Sequence, residues 1–267
     1  MGREPGAGAR LGGDAPPAQA PAAITWLGHA SVLLELDGVR LLTDPALRGR
    51  IGPLVRLQPG LPAAALGRLD CVLLSHLHAD HTDLPSLRQV ARRVPVLAPR
   101  AAASWLHRHG LRDVRELSPG AQTRVGSLLV EATPAAHDRR RRPFGPAADP
   151  IGYMIRGSRS VYFAGDTDLF DEMARLRGDT TVALLPVWGW GAQLGPGHLD
   201  PERAAAAAAL IAPAIAIPIH WGTFALRRPA RRPQDPAWPA REFARLTRQS
   251  APAIEVRVLP PGGRAEL

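Results

Sequence analysis

The stretch Ser75-His76-Leu77-His78-Ala79-Asp80-His81 carries three imidazoles and one carboxylate within six positions, directly after an apolar run. Neutral imidazole and carboxylate are the ligand set of zinc, iron or manganese sites that keep open coordination positions. A structural zinc site would draw on several cysteines, and this chain has one. The density of the cluster argues against the alternative, a polar loop with chance histidines. The stretch therefore predicts a metal site.

The local geometry of this stretch favours two ions. The apolar run 69–74 predicts a buried strand, so His76 and His78, two positions apart in extended chain, point the same way. Asp80 and His81 follow where the strand gives way to a helix predicted over 84–90, which Thr82 or Asp83 can cap. The two pairs therefore face different directions, as two neighbouring ions require.

Later apolar runs repeat the pattern of a strand that ends in a ligand-type residue. They are residues 127–134 before His137, residues 161–165 before Asp166, and residues 214–219 before His220. Each of these three side chains, taken alone, fits a hydrogen-bonded loop residue as well as a ligand. Because such strand ends form the ligand-binding crevice of α/β sheets, the series predicts that they converge.

At this point the sequence resembles the metallo-β-lactamase-fold hydrolases over residues 24 to about 224. The matching positions, in chain order, are Asp44, His76, His78, Asp80, His81, His137, Asp166 and His220. Further motifs are similar to the branch that contains N-acyl-phosphatidylethanolamine phospholipase D and the ascorbate-6-phosphate lactonases: Thr25–Ala30, Phe163–Thr167, His198–Glu202 and His220–Phe224.

The resemblance implies an α/β protein, a four-layer αβ/βα sandwich of two mixed β-sheets with helices outside. It also implies two divalent metal ions, Zn²⁺ in the first place, with Mn²⁺ or Fe²⁺ as alternatives. By the same resemblance, His76, His78 and His137 hold the first ion, Asp80, His81 and His220 hold the second, and Asp166 bridges them.

A binuclear site implies hydrolysis. A hydroxide bound between two divalent ions attacks a phosphorus or carbonyl centre, and no serine or cysteine nucleophile is needed. Asp80 is a ligand that can also accept the proton of the water. We expect His198, in a glycine-rich loop before a helix, to protonate the leaving group; the alternative is a helix-start residue with a solvated ring.

Four side chains are expected around the ligands. Asp44 would orient the ligand loop, unless it is only a turn residue before Pro45. His29 is expected beside the ligands, with a tight turn as the alternative. Trp188 and Trp190, on a glycine-rich loop, would wall the mouth of the pocket or form a hydrophobic plug beneath the loop.

The net charge is +9, and all 33 basic residues are arginines. Clusters at 139–142 and at 227–232 follow ligand loops, and in the first of them Arg139 and Arg140 are predicted to bind a phosphate or an acidic headgroup. Solvated basic loops are the alternative. The charge also permits nucleic acid as a partner, but no dedicated nucleic-acid module is recognisable in the sequence.

The ligands run through most of the 267 residues, so we predict one hydrolase domain at residues 24–267. Residues 1–23, rich in Gly, Ala and Pro, are predicted to be disordered and contain no apolar core of signal-peptide length. No transmembrane segment is predicted, and the single cysteine, Cys71, fits a reducing, cytoplasmic location.

Three function classes follow. The first is a binuclear hydrolase of a phosphodiester, ester or lactone, acting on a small-molecule or phospholipid-type substrate. The alternatives are a nucleic-acid-processing metallohydrolase and a non-catalytic binding protein on the same scaffold. The full ligand set favours an enzyme. Peripheral membrane contact and a homo-oligomer stay open.

Overall fold

The computed structural model describes residues 22–60, 62–141, 145–191, 194–227 and 235–267. The segment predicted to be disordered, 1–23, lies outside the described residues except for Ala22 and Ala23. Ala23 already begins the first strand, one residue before the predicted domain boundary.

The described residues form seventeen strands, four α-helices and two 3₁₀ helices. The strands are β1 Ala23–Gly28, β2 Ser31–Leu36, β3 Val39–Thr43, β4 Arg50–Ile51, β5 Leu54–Arg56, β6 Cys71–Leu73, β7 Val96–Pro99, β8 Val114–Leu117, β9 Gln122–Val125, β10 Leu128–Pro134, β11 Ile151–Arg156, β12 Ser160–Phe163, β13 Val182–Pro186, β14 Ile215–Ile219, β15 Phe224–Leu226, β16 Glu255–Val256 and β17 Arg264–Glu266. The α-helices are α1 Leu84–Val90, α2 Ala103–Arg108, α3 Pro201–Ile211 and α4 Trp238–Ser250, and the 3₁₀ helices are η1 Ala63–Leu66 and η2 Asp171–Leu176.

Two large mixed sheets have the same plan. The first sheet has the order β17-β1-β2-β3-β6-β7-β8, and the second has the order β16-β14-β13-β12-β11-β10-β9. In each sheet one half is antiparallel and the other is parallel. A small third sheet, β15-β5-β4, was not predicted from the sequence.

The sheets pack face to face, with helices outside. Along β6, Cys71 and Leu73 point into the core between the sheets, whereas Val72 and Leu74 join the cluster beneath α1 and α2. This alternation is the period of two expected when both faces of a strand are buried. On the far side, α3 packs on β13 and α4 on β14. The predicted four-layer sandwich is confirmed.

The region around the metal-type cluster follows its local sequence closely. The predicted helix 84–90 forms as α1, and its cap is the Asp83 carboxylate, which accepts the N–H of Ser86 at 3.1 Å. Arg48 also donates to both oxygens of Asp83, at 2.6 and 2.8 Å. The predicted strand 69–74 is shorter, Cys71–Leu73, because only these residues pair with β3 and β7.

Strand register brings the ligand-type residues to one edge of the sandwich. Thr43 at the end of β3 pairs with Leu73 at the end of β6, so Asp44 lies beside the start of the cluster. In the second sheet Pro186 pairs with Ile219, which places the end of β13 next to His220. The carboxyl ends of parallel strands thus deliver side chains to a shared crevice.

Tyr153 joins the two sheets directly beneath this crevice. Its hydroxyl, on β11 of the second sheet, lies 2.8 Å from the carbonyl oxygen of Leu74 and 3.1 Å from that of Leu97, both in the first sheet. The side chain is fully buried. The chain's other tyrosine, Tyr162, is equally buried, but its hydroxyl has no partner among the described residues.

We therefore expect the substitution Tyr153→Phe to lower the free energy of unfolding of the metal-free protein by about 1–2 kcal/mol, because the buried Leu74 carbonyl loses its hydroxyl donor. The matched control, Tyr162→Phe, removes an unpartnered hydroxyl and should leave the stability unchanged or slightly raised. Urea denaturation measures both. Equal losses from the two variants would contradict the sheet-joining role of Tyr153.

Candidate metal centre

The described structure gathers seven of the nine histidines at the edge of the sandwich, together with three aspartates. The other two, His107 and His109, lie at the C-terminus of α2. The groups whose ligand atoms lie close together are His76, His78 and His137; His29, Asp80, His81 and His220; Asp44, His76 and His81; and His137, Asp166 and His198. All seven predicted metal ligands are among them.

The first predicted ligand set is compact. The Nδ1 atom of His78 lies 3.0 Å from the Nε2 atom of His137. The ring of His76 is centred 4.6 Å from that of His78 and 4.7 Å from that of His137. Ligands about 2.0–2.1 Å from one zinc ion lie about 2.9–3.4 Å from each other at octahedral or tetrahedral angles. The nitrogen separation is therefore that of two ligands of one ion.

The second predicted set has the same spacing and one more member. The Nε2 atoms of His81 and His220 are 3.0 Å apart, and Asp80 Oδ2 is 4.0 Å from His81 Nε2. His29 joins this set, with its Nε2 atom 3.1 Å from Asp80 Oδ2 and its ring centred 3.9 Å from that of His220. His29 thus contacts two predicted ligands, as a residue that orients them must.

Asp166 lies between the two sets. Its Oδ2 atom is 3.1 Å from His81 Nε2 of the second set and 4.0 Å from His137 Nε2 of the first. Its Oδ1 atom is 3.2 Å from His220 Nε2. A carboxylate with contacts to both sets has the position that a bridging ligand occupies.

In six of the seven histidines one ring nitrogen contacts an oxygen atom at the periphery of the cluster, and the other ring nitrogen points inward. A metal-ligating histidine ordinarily has such an outer partner, which sets its tautomer and its orientation. The partners are Ser75 Oγ for His76, the Arg140 carbonyl for His78, Asp44 Oδ2 for His81, the Gly197 carbonyl for His137, the Gly195 and Pro196 carbonyls for His198, and the Trp188 carbonyl for His220.

Two inward atoms make no hydrogen bond in the described structure: His76 Nε2, and Asp166 Oδ1, whose 3.2 Å contact with His220 Nε2 lacks hydrogen-bond geometry. Buried polar atoms are rarely left so, because the loss of hydration is then uncompensated. Both belong to the predicted ligand sets, and both are the atom types that bind zinc, manganese or iron. The residues present therefore fit a metal ion.

The charge states of His76, His220 and Asp166 also suit a metal. Burial lowers the pKa of His76 well below its ordinary value and that of His220 to about 3, so both rings are neutral, the form that binds a metal. Burial alone would raise the pKa of Asp166, but His220 and His81 hold it well below the usual range. The carboxylate is thus ionised.

Ser75 is a residue of the site that the sequence did not reveal. Its backbone N–H donates to Asp44 Oδ1 at 2.8 Å and its hydroxyl contacts Asp44 Oδ2, while the same Asp44 oxygen lies 2.8 Å from His81 Nδ1. Asp44 is fully buried. It therefore holds both ends of the ligand loop, which its Asp-Pro turn alone does not indicate.

Backbone strain is concentrated here. His29, Asp44 and His220 have positive φ angles of 55°, 32° and 63°, in the region that favours glycine. The surrounding structure maintains these conformations, since the His29 N–H donates to Thr223 Oγ1 at 2.6 Å and the His220 N–H donates to the His29 carbonyl at 2.8 Å. Such strain is typical of functional sites.

The two predicted pocket-mouth tryptophans behave differently. Trp190 is exposed and donates its indole N–H to Asp80 Oδ2 at 3.1 Å, so it stands at the edge of the metal cluster. Trp188 packs against the core and meets the ring of Trp238 edge-on. Its side chain therefore matches the alternative prediction, a hydrophobic plug beneath the loop. Its carbonyl oxygen contacts His220 Nδ1.

Among the described arginines after His137, only Arg141 directs its side chain to the ligand loop, whereas the sequence predicts substrate contacts for Arg139 and Arg140. Arg139 is exposed and pairs with Asp149, and Arg140 contributes its carbonyl to His78 while its side chain is exposed. Arg141 instead donates to the carbonyl oxygens of Leu77 and Thr82 on the ligand loop. Substrate binding by Arg139 and Arg140 stays a prediction; 142 and 228–234 lie outside the described residues.

His198 stands at the border of the cluster. Its Nε2 atom is 3.5 Å from Asp166 Oδ2, and a quarter of its side chain is exposed (25%). Arg203 fixes its loop by donating to the His198 carbonyl at 2.6 Å and pairing with Asp168 at 2.8 Å. Burial alone would lower the pKa of His198, but Asp166 raises it above the ordinary value.

Comparison with known proteins agrees with this fold and site. The family described as "Beta-lactamase superfamily domain" matches residues 39–221. A metal-dependent hydrolase of the UPF0173 group from Methanopyrus kandleri is 35% identical over 248 residues, which cover 90% of this chain and 97% of that protein. One from Deinococcus radiodurans is 32% identical over 254 residues, covering 91% and 99%.

Among solved structures, a metallo hydrolase from the archaeon Ignicoccus hospitalis superposes with a TM-score of 0.71 at 25% identity, covering 93% of this chain and 99% of that one. A sandwich of two mixed sheets with a histidine-aspartate cluster at its edge defines a metallo-β-lactamase-type protein. The chain belongs to this superfamily and is a metal-dependent hydrolase.

We expect Asp44→Asn to weaken metal binding about 10-fold to 100-fold, because His81 and the ligand loop lose the carboxylate that orients them. Competition with a chromophoric chelator measures the affinity. The control is Asp113→Asn, a half-exposed aspartate that pairs with Arg115 away from the cluster. An unchanged affinity in the Asp44 variant would refute the orienting role.

The neighbouring arginines supply a second matched pair. Arg141→Gln removes the guanidinium that clamps the ligand loop to the loop after His137, and we expect metal release by a chelator to become at least about tenfold faster. The control is Arg139→Gln, which changes a nearby arginine whose ion pair with Asp149 is exposed. This variant should release metal at the parent rate. If both variants behave alike, the clamp does not support the site.

Proposed function

We propose that this protein is a binuclear metal-dependent hydrolase that cleaves a phosphodiester, ester or lactone. The observation that carries the proposal is the position of Asp166 between two ligand sets, each with a pair of ring nitrogens 3.0 Å apart. One ion would leave one of these sets without a partner. Zn²⁺ fits the ligands, and Mn²⁺ or Fe²⁺ fits them as well.

Charge balance supports two ions. Asp44 and Asp166 are buried and the side chain of Asp80 is 14% exposed, so three negative charges lie in or beside the cluster. Within the described chain, the cations at ion-pair distance from them are histidines alone. Two divalent cations would supply four positive charges and a protonated His198 one more, so the site would keep a net positive charge that favours an anionic nucleophile or substrate.

Two such ions would lower the pKa of a water molecule and polarise the phosphoryl or carbonyl oxygen of a substrate. Asp80 is the most exposed of the three carboxylates, and its Oδ2 atom contacts His29 Nε2 and accepts the indole N–H of Trp190. It is therefore oriented to take the proton of an attacking water. Trp190 covers this carboxylate from the solvent side.

His198 is the proton donor in this proposal. Its partial exposure lets it reach a bound substrate, and its raised pKa keeps the ring protonated at higher pH than a free histidine. Asp166 orients Nε2, and the carbonyls of Gly195 and Pro196 orient Nδ1. A leaving alkoxide would take its proton from Nε2.

The substrate class is a proposal from resemblance and charge. Motifs at 25–30 and 198–202 are similar to the phospholipase D and lactonase branch, which favours a small-molecule or phospholipid-type substrate with a phosphate or carboxyl ester. No helix in the described residues is long and apolar enough to cross a membrane. Peripheral membrane contact and a homo-oligomer stay proposals. A nucleic-acid substrate or a binding role is the alternative.

The first experiment combines elemental analysis with hydrolysis of bis-p-nitrophenyl phosphate and a simple lactone. We expect about two ions per chain and turnover that a chelator abolishes. His78→Ala and His220→Ala should each lose about one ion, since they belong to different sets, and Asp166→Asn should lose most of both. One ion per chain in the active parent would overturn the binuclear proposal, and metal without turnover would favour a binding role.

A second experiment separates the proton donor from a ligand. His198→Gln should keep the parent metal content, and its kcat should fall about 100-fold or more on an ester with an alkyl leaving group. On a p-nitrophenyl ester the fall should be much smaller, because p-nitrophenolate leaves without protonation. Equal losses on both substrates, or loss of metal, would rule out the donor role.

A further inference from the structure

A second cavity lies on the outer face of the second sheet, away from the metal cluster. It has a volume of about 360 Å³ and is enclosed between β10–β12 and η2. Register places Glu131, Met154 and Tyr162 side by side on this face. The apolar walls are Pro134, Phe170, Met173 and Leu176. The volume lies in the range of about 300–1,000 Å³ typical of small-molecule sites.

Two residues that line the cavity have buried hydroxyls without hydrogen-bond partners in the described structure, Thr133 Oγ1 and Tyr162 OH. Tyr162 is fully buried and Thr133 is 5% exposed. The two groups adjoin each other without forming a hydrogen bond of ordinary geometry. Burial raises the pKa of the Tyr162 phenol, so it stays protonated and able to donate. Unpaired buried hydroxyls of this kind call for a polar partner.

The charges around the cavity restrict that partner. Glu131 and Asp179 both pair with Arg156, at 2.7 and 2.6 Å. Glu172 and Arg175 complete the charged lining, so three acidic side chains face two basic ones. This local excess of negative charge stands out in a chain of net charge +9. An anion is disfavoured here, whereas a neutral or cationic group is accepted.

The cavity shares no lining residue with the metal-type groups. It is therefore separate from the proposed active site. We propose that it binds a small amphipathic organic molecule, whose apolar body packs on Phe170 and Met173 and whose neutral or cationic head hydrogen-bonds to Thr133 and Tyr162.

Methionine-methyl NMR tests the proposal on the full chain, since Met173 lines the cavity and the sequence has only three methionines. The probes are benzyl alcohol, benzylamine and benzoate, which share a ring and differ in the charge of the head. We expect benzyl alcohol or benzylamine to shift the Met173 signal, assigned with Met173→Leu, in a saturable manner, and benzoate to leave it in place. No saturable shift with the alcohol or the amine, or tightest binding of benzoate, would overturn the proposal.

Two variants examine the head-group contacts. Thr133→Val and Tyr162→Phe keep the shape of the cavity and remove one hydroxyl each, so the Kd of the bound probe should rise about threefold to tenfold. Thr123→Val, on β9 and outside the lining, is the matched control and should keep the parent Kd. A parent-like Kd in both cavity variants would refute the contacts. Because the titration of the parent protein already decides the proposal, it stays testable if a variant misfolds.

Discussion

The Asp166 carboxylate, buried between histidines from both sheets, is the interaction on which the rest of the site depends. It follows β12 of the second sheet and contacts His81, which follows β6 of the first, and His220, which follows β14. An ionised carboxylate that is 3% exposed is tolerable only with positive charge close by. The sandwich places imidazoles in two sets around it, and the two divalent cations that we propose would complete the balance.

The scaffold holds this cluster by ordinary hydrogen bonds made one layer further out. Asp44, which follows β3, contacts His81 on the ligand loop. Arg141, in the loop after His137, donates to the carbonyl of Thr82 on the ligand loop, and Arg203 donates to the carbonyl of His198. Such contacts fix the orientation of the ligands, and a fixed orientation lowers the entropy cost of binding an ion. Tyr153 strengthens the same region by joining the sheets beneath it.

The two faces of the second sheet have different uses. Its inner face fills the core of the sandwich with side chains such as Val130, Ile155 and Phe163. Its outer face is covered by α3 and α4 over β13 and β14, but over β10–β12 it is covered by the short η2. A six-residue 3₁₀ helix cannot fill that area, and the cavity with its unpaired hydroxyls lies there.

The sequence by itself determined several elements around the site and the types of ligand that they carry. Helix α1, its Asp83 cap, the buried Cys71 and the strands that end in ligand-type residues follow from local patterns, because capping and apolar periodicity act over a few residues. Only the tertiary structure decided which side chains contact each other. The contact of His29 with Asp80 spans 51 residues, and the hydroxyl of Ser75 meets a carboxylate 31 positions earlier. Likewise Arg141, and not Arg139 or Arg140, reaches the ligand loop. Such pairings depend on strand register and loop path, which no local pattern specifies.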